Sequence, residues 1–230
     1  SKKILYWYDN NKRILPWRKN SSTEQKLYFT LVSEFMLQQT QVSTVIPYFK
    51  KFVQKITNFK KLSKTKDQTL MKLWEGLGYY SRARNLKKSA IMIVDRFGGI
   101  LPSNFDDLKS LPGGGDYTST AIMAIAFNKK FIPLDGNVER ILKRVLFLRC
   151  DKDISKENMQ ISKNFFGLSK RASDYAQAIM ELGALVCRPT SPLCGKCPIR
   201  INCFSYKRND FFLIKKTKKN KIKYFEANIY

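Results

Sequence analysis

The chain has 230 residues, and 43% of them are hydrophobic, so it can bury a substantial core as one large or two small domains. Its 43 Lys and Arg outnumber its 18 Asp and Glu, which gives a formal charge of +25. This charge attracts polyanions, and nucleic acid is therefore the leading expected partner. No run of about 18 uncharged apolar residues and no signal pattern is present, so we expect an intracellular protein without a membrane partner.

The chain contains no histidine and five cysteines. Without histidine, Ser-His-Asp and Cys-His catalytic arrangements and His-ligated zinc are excluded, and carboxylates, Lys, Tyr and Cys remain for acid, base or nucleophilic chemistry. Without a signal peptide, the cysteines are expected as reduced thiols or metal ligands. Cys150 stands apart from the other four and is predicted to be a structural apolar residue.

Apolar residues at spacings of three and four predict a succession of helices joined by short turns rich in Gly, Pro or Asp. Besides a helix at the N-terminus, the patterns cover 28–52, 70–77, 82–97, 105–111, 118–127, 138–147 and 170–186. No alternating strand pattern precedes residue 220, so the predicted fold class is all-α. A basic linker is predicted at 207–221, and the aromatic and β-branched segment 222–230 is predicted to be the start of a truncated C-terminal domain.

A glycine-rich hairpin is predicted between the helical segments 105–111 and 118–127. Its sequence is Leu111-Pro112-Gly113-Gly114-Gly115. Glycines allow a tight turn and close approach, so free backbone N–H groups and the following helix N-terminus can hold a DNA phosphate without reading a base. The motif alone does not separate this helix-hairpin-helix interpretation from an ordinary turn between helices.

Two carboxylates are candidates for acid–base chemistry, and each has a structural alternative. Glu34 lies within an otherwise apolar helix, where burial would raise its pKa and let it act as a general acid; an isolated Glu is more often on a solvated face. Asp135 stands immediately before a helix, about 20 residues after the hairpin, where an N-cap is the simpler interpretation.

Four cysteines lie within 17 residues in the spacing C-x6-C-x2-C-x5-C: Cys187, Cys194, Cys197 and Cys203. Such a group predicts a metal centre, because chance clustering of this kind is improbable. Four thiolates suit either a tetrahedral zinc or a 4Fe-4S cluster, and the spacing does not choose between them.

Taken together, these motifs resemble the endonuclease III superfamily of DNA glycosylases across nearly all of residues 4–206. The resemblance is carried by Leu-Gln-Gln-Thr at 37–40, Gly-Leu-Gly-Tyr-Tyr-Ser-Arg at 76–82, the hairpin, Leu-Asp-Gly-Asn-Val at 134–138 and the four cysteines. Within the superfamily, the sequence is similar to the adenine DNA glycosylase (MutY) family, which removes adenine mispaired with 8-oxoguanine.

The resemblance implies a two-lobed helix-hairpin-helix DNA glycosylase with a C-terminal iron-sulfur cluster loop. The catalytic region would cover 1–206, with a six-helix barrel lobe at about 22–134 that contains the hairpin at 108–121. The N-terminal helix and residues 135–206 would form the cluster lobe. The implied cofactor is one 4Fe-4S cluster, and a monovalent or calcium ion at the hairpin is a further candidate.

By the same resemblance, Glu34 would protonate adenine at N7, and Asp135 would stabilise the positively charged sugar electrostatically or through a transient covalent bond. Two carboxylates in opposite protonation states are the physical logic of many glycoside hydrolases. Tyr117 and Asn137 would support the sugar and Asp135. Tyr117 stands where strand-cutting relatives carry a Lys that forms a Schiff base, so a monofunctional glycosylase is implied.

The resemblance also implies two groups of binding residues. Gln39 and Tyr79 would wedge into the base stack when adenine is flipped out. The DNA-binding candidates are Gln39, Thr40, Tyr79, Arg82, Gly113, Gly115 and Thr118. The candidates for the base pocket are Arg13, Trp17, Arg18 and Gln177.

The implied partner is double-stranded DNA with an A:8-oxoguanine or A:G mispair. A monomer that is cytoplasmic and associated with the nucleoid is expected. Two alternatives remain open: a bifunctional, pyrimidine-specific endonuclease III-like enzyme, and a cluster-bearing DNA-binding module without activity.

Overall fold

The computed structural model describes residues 2–19, 22–148 and 169–211. Cys150, the segment 222–230 and all of the predicted linker after residue 211 lie outside these described residues. Within the described ranges the secondary structure is helical and contains no β-strand, which confirms the all-α prediction.

The α-helices, numbered along the described chain, have the following bounds: α1 Lys2–Asn11, α2 Thr23–Leu37, α3 Val42–Lys55, α4 Phe59–Ser63, α5 Asp67–Trp74, α6 Ser81–Phe97, α7 Phe105–Ser110, α8 Asp116–Ile125, α9 Gly136–Leu146, α10 Ala172–Leu185 and α11 Phe204–Lys207. Short 3-10 turns cover Pro16–Arg18, Cys194–Lys196 and Arg200–Asn202. No helix in the described ranges has the length and apolar character needed to cross a membrane.

Polar side chains at the helix ends explain several of these bounds. Ser22 caps α2 and Asn104 caps α7, since their side-chain oxygens accept backbone N–H groups of the first turn. Gly98 ends α6 with a φ of +62°, in the left-handed conformation that glycine adopts at little cost.

The single helical pattern predicted over 28–52 is wrong in one respect, because the structure divides it into α2 and α3. Between the two helices, Gln39 has a φ of +57°. The guanidinium of Arg82 donates to the carbonyl of Met36 at 2.8 Å and to that of Gln38, so it satisfies carbonyls that the end of α2 leaves open. Both helices pack against one core, which keeps the apolar spacing continuous across the break.

Two separate clusters of buried apolar side chains agree with a two-lobed fold. The first comes from α2 to α8 and includes Leu31, Phe35, Phe52, Trp74 and Ile122. The second joins α1, α9 and α10 and includes Tyr8, Ile141, Leu142, Tyr175 and Leu182. Each such fully buried large side chain contributes roughly 1.5–3 kcal/mol, so both clusters hold their helices firmly. The residue boundaries assigned to the lobes stay predictions.

Candidate active site and cysteine loop

A cleft of about 1010 Å³ lies where the C-terminal part of α2, the starts of α8 and α9, and one face of α10 meet. All four residues predicted for catalysis line it: Glu34, Tyr117, Asp135 and Asn137. It is also lined by the predicted base-pocket residues and by five of the predicted DNA-binding residues: Arg13, Trp17, Arg18, Gln177, Gln39, Thr40, Gly113, Gly115 and Thr118. The structure therefore brings together residues separated by more than 160 positions in the chain.

Glu34 lies in the C-terminal half of α2 and is only 6% exposed, so it is not on a solvated face. Burial raises the pKa of its carboxyl to about 7, and the nearby charge of Asp135 adds to the increase. The positive charge of Arg18 and a hydrogen bond donated by the Tyr117 hydroxyl act in the opposite direction. The environment therefore keeps a large fraction of this carboxyl protonated near neutral pH, as a general acid requires.

Tyr117, in the first turn of α8, faces the same carboxyl. Burial raises the pKa of its phenol well above the ordinary value, and the charges of Glu34 and Asp135 raise it further. The hydroxyl therefore remains protonated and donates to Glu34. A phenol carries no amine, so Tyr117 cannot form a Schiff base with the sugar.

Asp135 is an N-cap, as its structural interpretation predicted, and it also lines the cleft. Its Oδ1 accepts the backbone N–H of Asn137 at 2.9 Å and that of Val138 at 2.7 Å. Its Oδ2 accepts the Asn137 side-chain amide at 2.9 Å. These three hydrogen bonds fix the carboxylate at the positive end of α9, so capping and a catalytic position are compatible.

Arg140 connects Asn137 to the cysteine loop. Its guanidinium donates to Asn137 Oδ1 at 2.8 Å, to the carbonyl of Gly183 at 2.8 Å and to that of Cys187 at 2.7 Å. A Cβ on Gly183 would lie 2.6 Å from Asn137 Cβ, so α9 and α10 can approach this closely only with glycine at that position. The orientation of Asp135 therefore depends on packing that extends to the first cysteine.

Glu181 is a third carboxylate in the cleft that the sequence analysis did not identify. It is fully buried and pairs with Arg13 Nε and Arg18 through one of its guanidinium nitrogens, each at 2.8 Å. Two of the predicted base-pocket arginines are thus held by one acid. Gln177, a predicted base-pocket residue, lies four residues earlier on the same face of α10. This spacing is the pattern in the sequence that could have identified Glu181.

The hairpin follows the predicted geometry. Gly113 has a φ of +82°, and a Cβ there would lie 2.8 Å from the Phe35 ring. Gly114 leaves no space for a side chain, since a Cβ would lie 2.3 Å from the carbonyl oxygen of Leu108. These glycines allow the hairpin backbone to pack against α2 and α7 while Gly115 remains exposed at the start of α8. The arrangement suits a backbone phosphate site.

Tyr79 and Arg82 do not line the cleft, although both were predicted to bind DNA. Tyr79 is 64% exposed at a φ of +47°, in the loop before α6. Arg82 is 6% exposed, and its guanidinium donates to carbonyls on both sides, including Gln38 and Leu77. Arg82 therefore connects the loops that carry Gln39 and Tyr79, and we call this set of hydrogen bonds the Arg82 clamp. A DNA contact by Arg82 stays a prediction.

We expect Arg82→Met to lower the free energy of unfolding by roughly 3 kcal/mol, because several buried carbonyls lose their donor. Arg84→Met, two residues later on the exposed side of α6, is the matched control and should change it by less than about 0.5 kcal/mol. Urea unfolding measures both. Equal stability of the two variants would contradict the clamp.

The four predicted metal ligands Cys187, Cys194, Cys197 and Cys203 line one largely apolar cavity between α9, α10 and α11. All four are free thiols. Burial raises the pKa of Cys194, and it raises that of Cys197 to about 11. Four thiols that line one cavity suit a thiolate-ligated metal centre, which can be a 4Fe-4S cluster or a tetrahedral zinc.

Arg144 provides a second test of what this cavity can hold. It is 2% exposed, and it donates to Cys187 Sγ at 3.4 Å and to the carbonyls of Arg188 and Pro189. Its buried Nε–H has no acceptor in the described structure, and no described carboxylate pairs with its charge. A buried cation without a counter-ion is costly, so an anionic group with acceptor atoms fits the cavity.

The sequence is similar to those of known base excision DNA repair proteins. Residues 32–165 match the model of the HhH-GPD superfamily base excision DNA repair protein. The chain is 41% identical to the adenine DNA glycosylase of Homo sapiens over 216 residues, which cover 89% of this chain and 39% of the relative. It is 37% identical to the adenine DNA glycosylase of Buchnera aphidicola subsp. Baizongia pistaciae, over 95% of this chain and 61% of the relative. The chain therefore spans less than two thirds of these relatives.

Solved structures share the fold over nearly their full length. A thermostable thymine-DNA glycosylase superposes with a TM-score of 0.80 at 28% identity, covering 90% of this chain and 94% of that chain. A non-covalent endonuclease III–DNA complex superposes with a TM-score of 0.71 at 22% identity, with the same two coverages. These similarities confirm the predicted two-lobed helix-hairpin-helix architecture.

Proposed function

Because this chain belongs to the HhH-GPD superfamily of base excision DNA repair proteins, we propose that it is a monofunctional DNA glycosylase acting on adenine. The target adenine would be mispaired with 8-oxoguanine or guanine and flipped out of the duplex into the cleft. The observation that carries the proposal is the buried Glu34, with a pKa of about 7, beside Asp135 in one cleft.

Glu34 supplies a proton to the leaving base. A purine offers N7 as the proton acceptor, and protonation there withdraws electrons from the glycosidic bond. Thymine has no equivalent ring nitrogen, so a buried acid at this position favours a purine. This distinction matters because one structural relative is named a thymine-DNA glycosylase.

Asp135 acts on the sugar side of the same bond. As the bond to adenine breaks, positive charge develops on the sugar, and a fixed carboxylate stabilises it. The two N–H groups at the start of α9 and the Asn137 amide hold the carboxylate in place before the reaction begins. Water then completes the hydrolysis at the sugar carbon.

The composition of the cleft favours hydrolysis without strand cleavage. None of the described residues that line the cleft is a lysine. Tyr117 stands where strand-cutting members of the resembling superfamily carry the lysine that forms a Schiff base. A tyrosine hydroxyl forms no imine with the opened sugar. Base release and strand cleavage are therefore expected to be uncoupled.

Polar groups in the cleft suit the edge of adenine. Arg18 presents a buried Nε–H that has no acceptor within the described ranges, and a ring nitrogen of adenine would supply one. Gln177 donates its amide to Ser173, at the base of the same face of α10. Trp17 contacts Phe49 edge-to-face at 5.3 Å, which holds its ring at the apolar side of the cleft.

Gln39 and Tyr79 are proposed to fill the space that the flipped adenine leaves in the duplex. Both side chains are exposed, and both backbones are in the left-handed region. The hairpin and the start of α8 would hold the adjacent phosphates. A monovalent or calcium ion at the hairpin stays a prediction.

The cysteine loop is proposed to hold one 4Fe-4S cluster through Cys187, Cys194, Cys197 and Cys203. When bound, the cluster ties the loop to α9 and α10 and takes no part in hydrolysis. Arg144 would compensate its negative charge. Purified protein should contain iron and sulfide and absorb in the visible range, whereas zinc without iron would contradict the assignment.

The function is tested by incubating the protein with duplexes that differ only in one pair: A:8-oxoguanine, A:G or T:G. We expect release of free adenine from the first two and no thymine from the third. Borohydride should trap little covalent complex on the adenine substrates. Efficient trapping would favour the bifunctional alternative, and binding without release of any base would favour the non-catalytic one.

A further inference from the structure

Five exposed lysines line a groove of about 740 Å³. Lys55 lies at the C-terminal end of α3, and the others belong to α4 and the segment that leads into α5: Lys60, Lys61, Lys64 and Lys66. We call this feature the lysine groove. Its remaining lining residues are uncharged, so no acidic side chain of the described structure lines the groove.

The charge of the lysine groove is not compensated by ion pairs. Within the described chain, none of its five lysines lies within 4.0 Å of a carboxylate oxygen. Asp67, the first residue of α5, pairs instead with Lys87 at 2.5 Å. Like charges held close together repel each other, and an external polyanion would relieve this repulsion.

The lining favours a phosphodiester backbone over a protein partner. Protein interfaces are generally anchored by apolar or aromatic side chains that enter pockets. Here the apolar lining residue is Ile56, which is 2% exposed and whose carbonyl already accepts the Tyr28 hydroxyl at 2.6 Å. Lysines without exposed aromatic neighbours suit phosphates, because they contribute point charges and read no bases.

The lysine groove lies far from the cleft. Val42 and Ser43, at the start of α3, line the cleft, whereas Lys55 at its end lines the groove. A helix of 14 residues is about 20 Å long, so the two features lie at opposite ends of α3. The lysines therefore do not line the cleft and can meet a DNA backbone that the cleft does not hold.

We propose that the lysine groove binds the backbone of a second duplex segment, so that one protein molecule bridges two pieces of DNA. The proposal assumes only that the cleft holds DNA, as the proposed function requires, and not that adenine is the base removed. Bridging would let the protein contact a new segment before it releases the old one. This property is separate from catalysis and can be measured without base release.

The test compares two variants of equal net charge. The groove variant carries Lys60→Gln, Lys61→Gln, Lys64→Gln and Lys66→Gln. The control carries four Lys→Gln changes at exposed positions that line neither the groove nor the cleft: Lys72, Lys88, Lys129 and Lys170. Thermal melting should be similar for both, since all eight side chains are exposed.

A short duplex with an A:G pair is attached to a surface and saturated with protein, and a labelled, undamaged duplex is then added. Wild type and control should retain the second duplex, and the groove variant should retain it at least about tenfold less. The slope of log affinity against log salt for the second duplex should become shallower by about 3 to 4, or about 0.9 for each lysine. Base release from a single short duplex should be equal in both variants.

Three results would overturn the proposal. These are no retention of a second duplex by the wild type, equal retention by both variants, or, when a polyglutamate peptide is offered in place of the second duplex, binding of the peptide but not of a duplex at the groove. Failure of the proposed function gives a different result. A protein that bridges duplexes but releases no adenine would contradict the assigned chemistry and leave the lysine groove as proposed.

Discussion

Glu34→Gln is expected to lower the rate of adenine release by roughly 10²–10⁴-fold without loss of the fold. Glutamine has nearly the same shape as protonated glutamic acid and can still accept the hydrogen bond from Tyr117, but it cannot transfer a proton to the base. Because Glu34 lies in an environment that favours its neutral form, a neutral amide fits the same space. The defect should therefore appear in the chemical step, measured under single-turnover conditions.

The raised pKa also predicts how activity and stability depend on pH. The folded state holds the Glu34 proton up to about pH 7, whereas the unfolded chain releases it near the ordinary value of 4.5. Between these values the folded state binds more protons, so its free energy of unfolding falls as the pH rises, and the loss is complete above about pH 7. At about 1.4 kcal/mol per pH unit, this interval corresponds to about 3 kcal/mol.

Glu34→Gln should thus be more stable than the wild type at pH 8, by up to about 3 kcal/mol, and nearly equal to it at pH 4.5. Urea unfolding at the two pH values measures this. Wild-type adenine release should also decline above pH 7, as the acid loses its proton. The control is Glu24→Gln, at the exposed start of the same helix. Full activity of Glu34→Gln, or an equal loss in the control, would contradict the assigned acid.

Asp135→Asn is expected to lower the rate of adenine release by roughly 10²–10³-fold, because a neutral amide stabilises the developing positive charge poorly. Asparagine is as good an N-cap as aspartate, so the backbone N–H groups of Asn137 and Val138 keep their acceptor. The free energy of unfolding should change by less than about 1 kcal/mol. Charge and capping can therefore be separated at this residue.

Asp135→Ser tests the same separation with a shorter capping side chain, and it should be as inactive as Asp135→Asn. The control is Asp95→Asn, on the exposed surface of α6. Adenine release and circular dichroism are measured on each protein. If Asp135→Asn kept wild-type activity, the capping role alone would account for the residue, and the proposed stabilisation of the sugar would be wrong.

The sequence predicted the helices well, because burial on one face imposes a spacing that survives in the chain. It could not predict the break between α2 and α3, since both helices contribute to one core with continuous spacing. That break depends on Arg82, more than 40 residues away. Contacts of this kind leave no local pattern. The dual nature of Asp135 was also hidden, because the two interpretations considered for it are both satisfied by one position.

The predicted base pocket illustrates the same limit. Arg13 and Arg18 were proposed from resemblance, but their shared partner Glu181 lies more than 160 residues further along the chain. A glutamate within an apolar helix indicates a buried residue or a functional site, but the sequence pattern does not identify the residues that pair with it. The cysteine spacing, by contrast, predicted four residues that surround one cavity. Ligands that are close in sequence are predictable, whereas ligands assembled by tertiary packing are not.

The backbone at Gln39 and Tyr79 has a consequence for engineering this protein. Each residue holds a left-handed conformation that costs a non-glycine residue of the order of 1 kcal/mol, and the Arg82 clamp keeps both loops in place. Glycine would relieve this stored strain. A directed-evolution screen for heat resistance alone is therefore expected to replace Gln39 and Tyr79 early, and to enrich variants that survive heating but lack the two side chains proposed to enter the duplex.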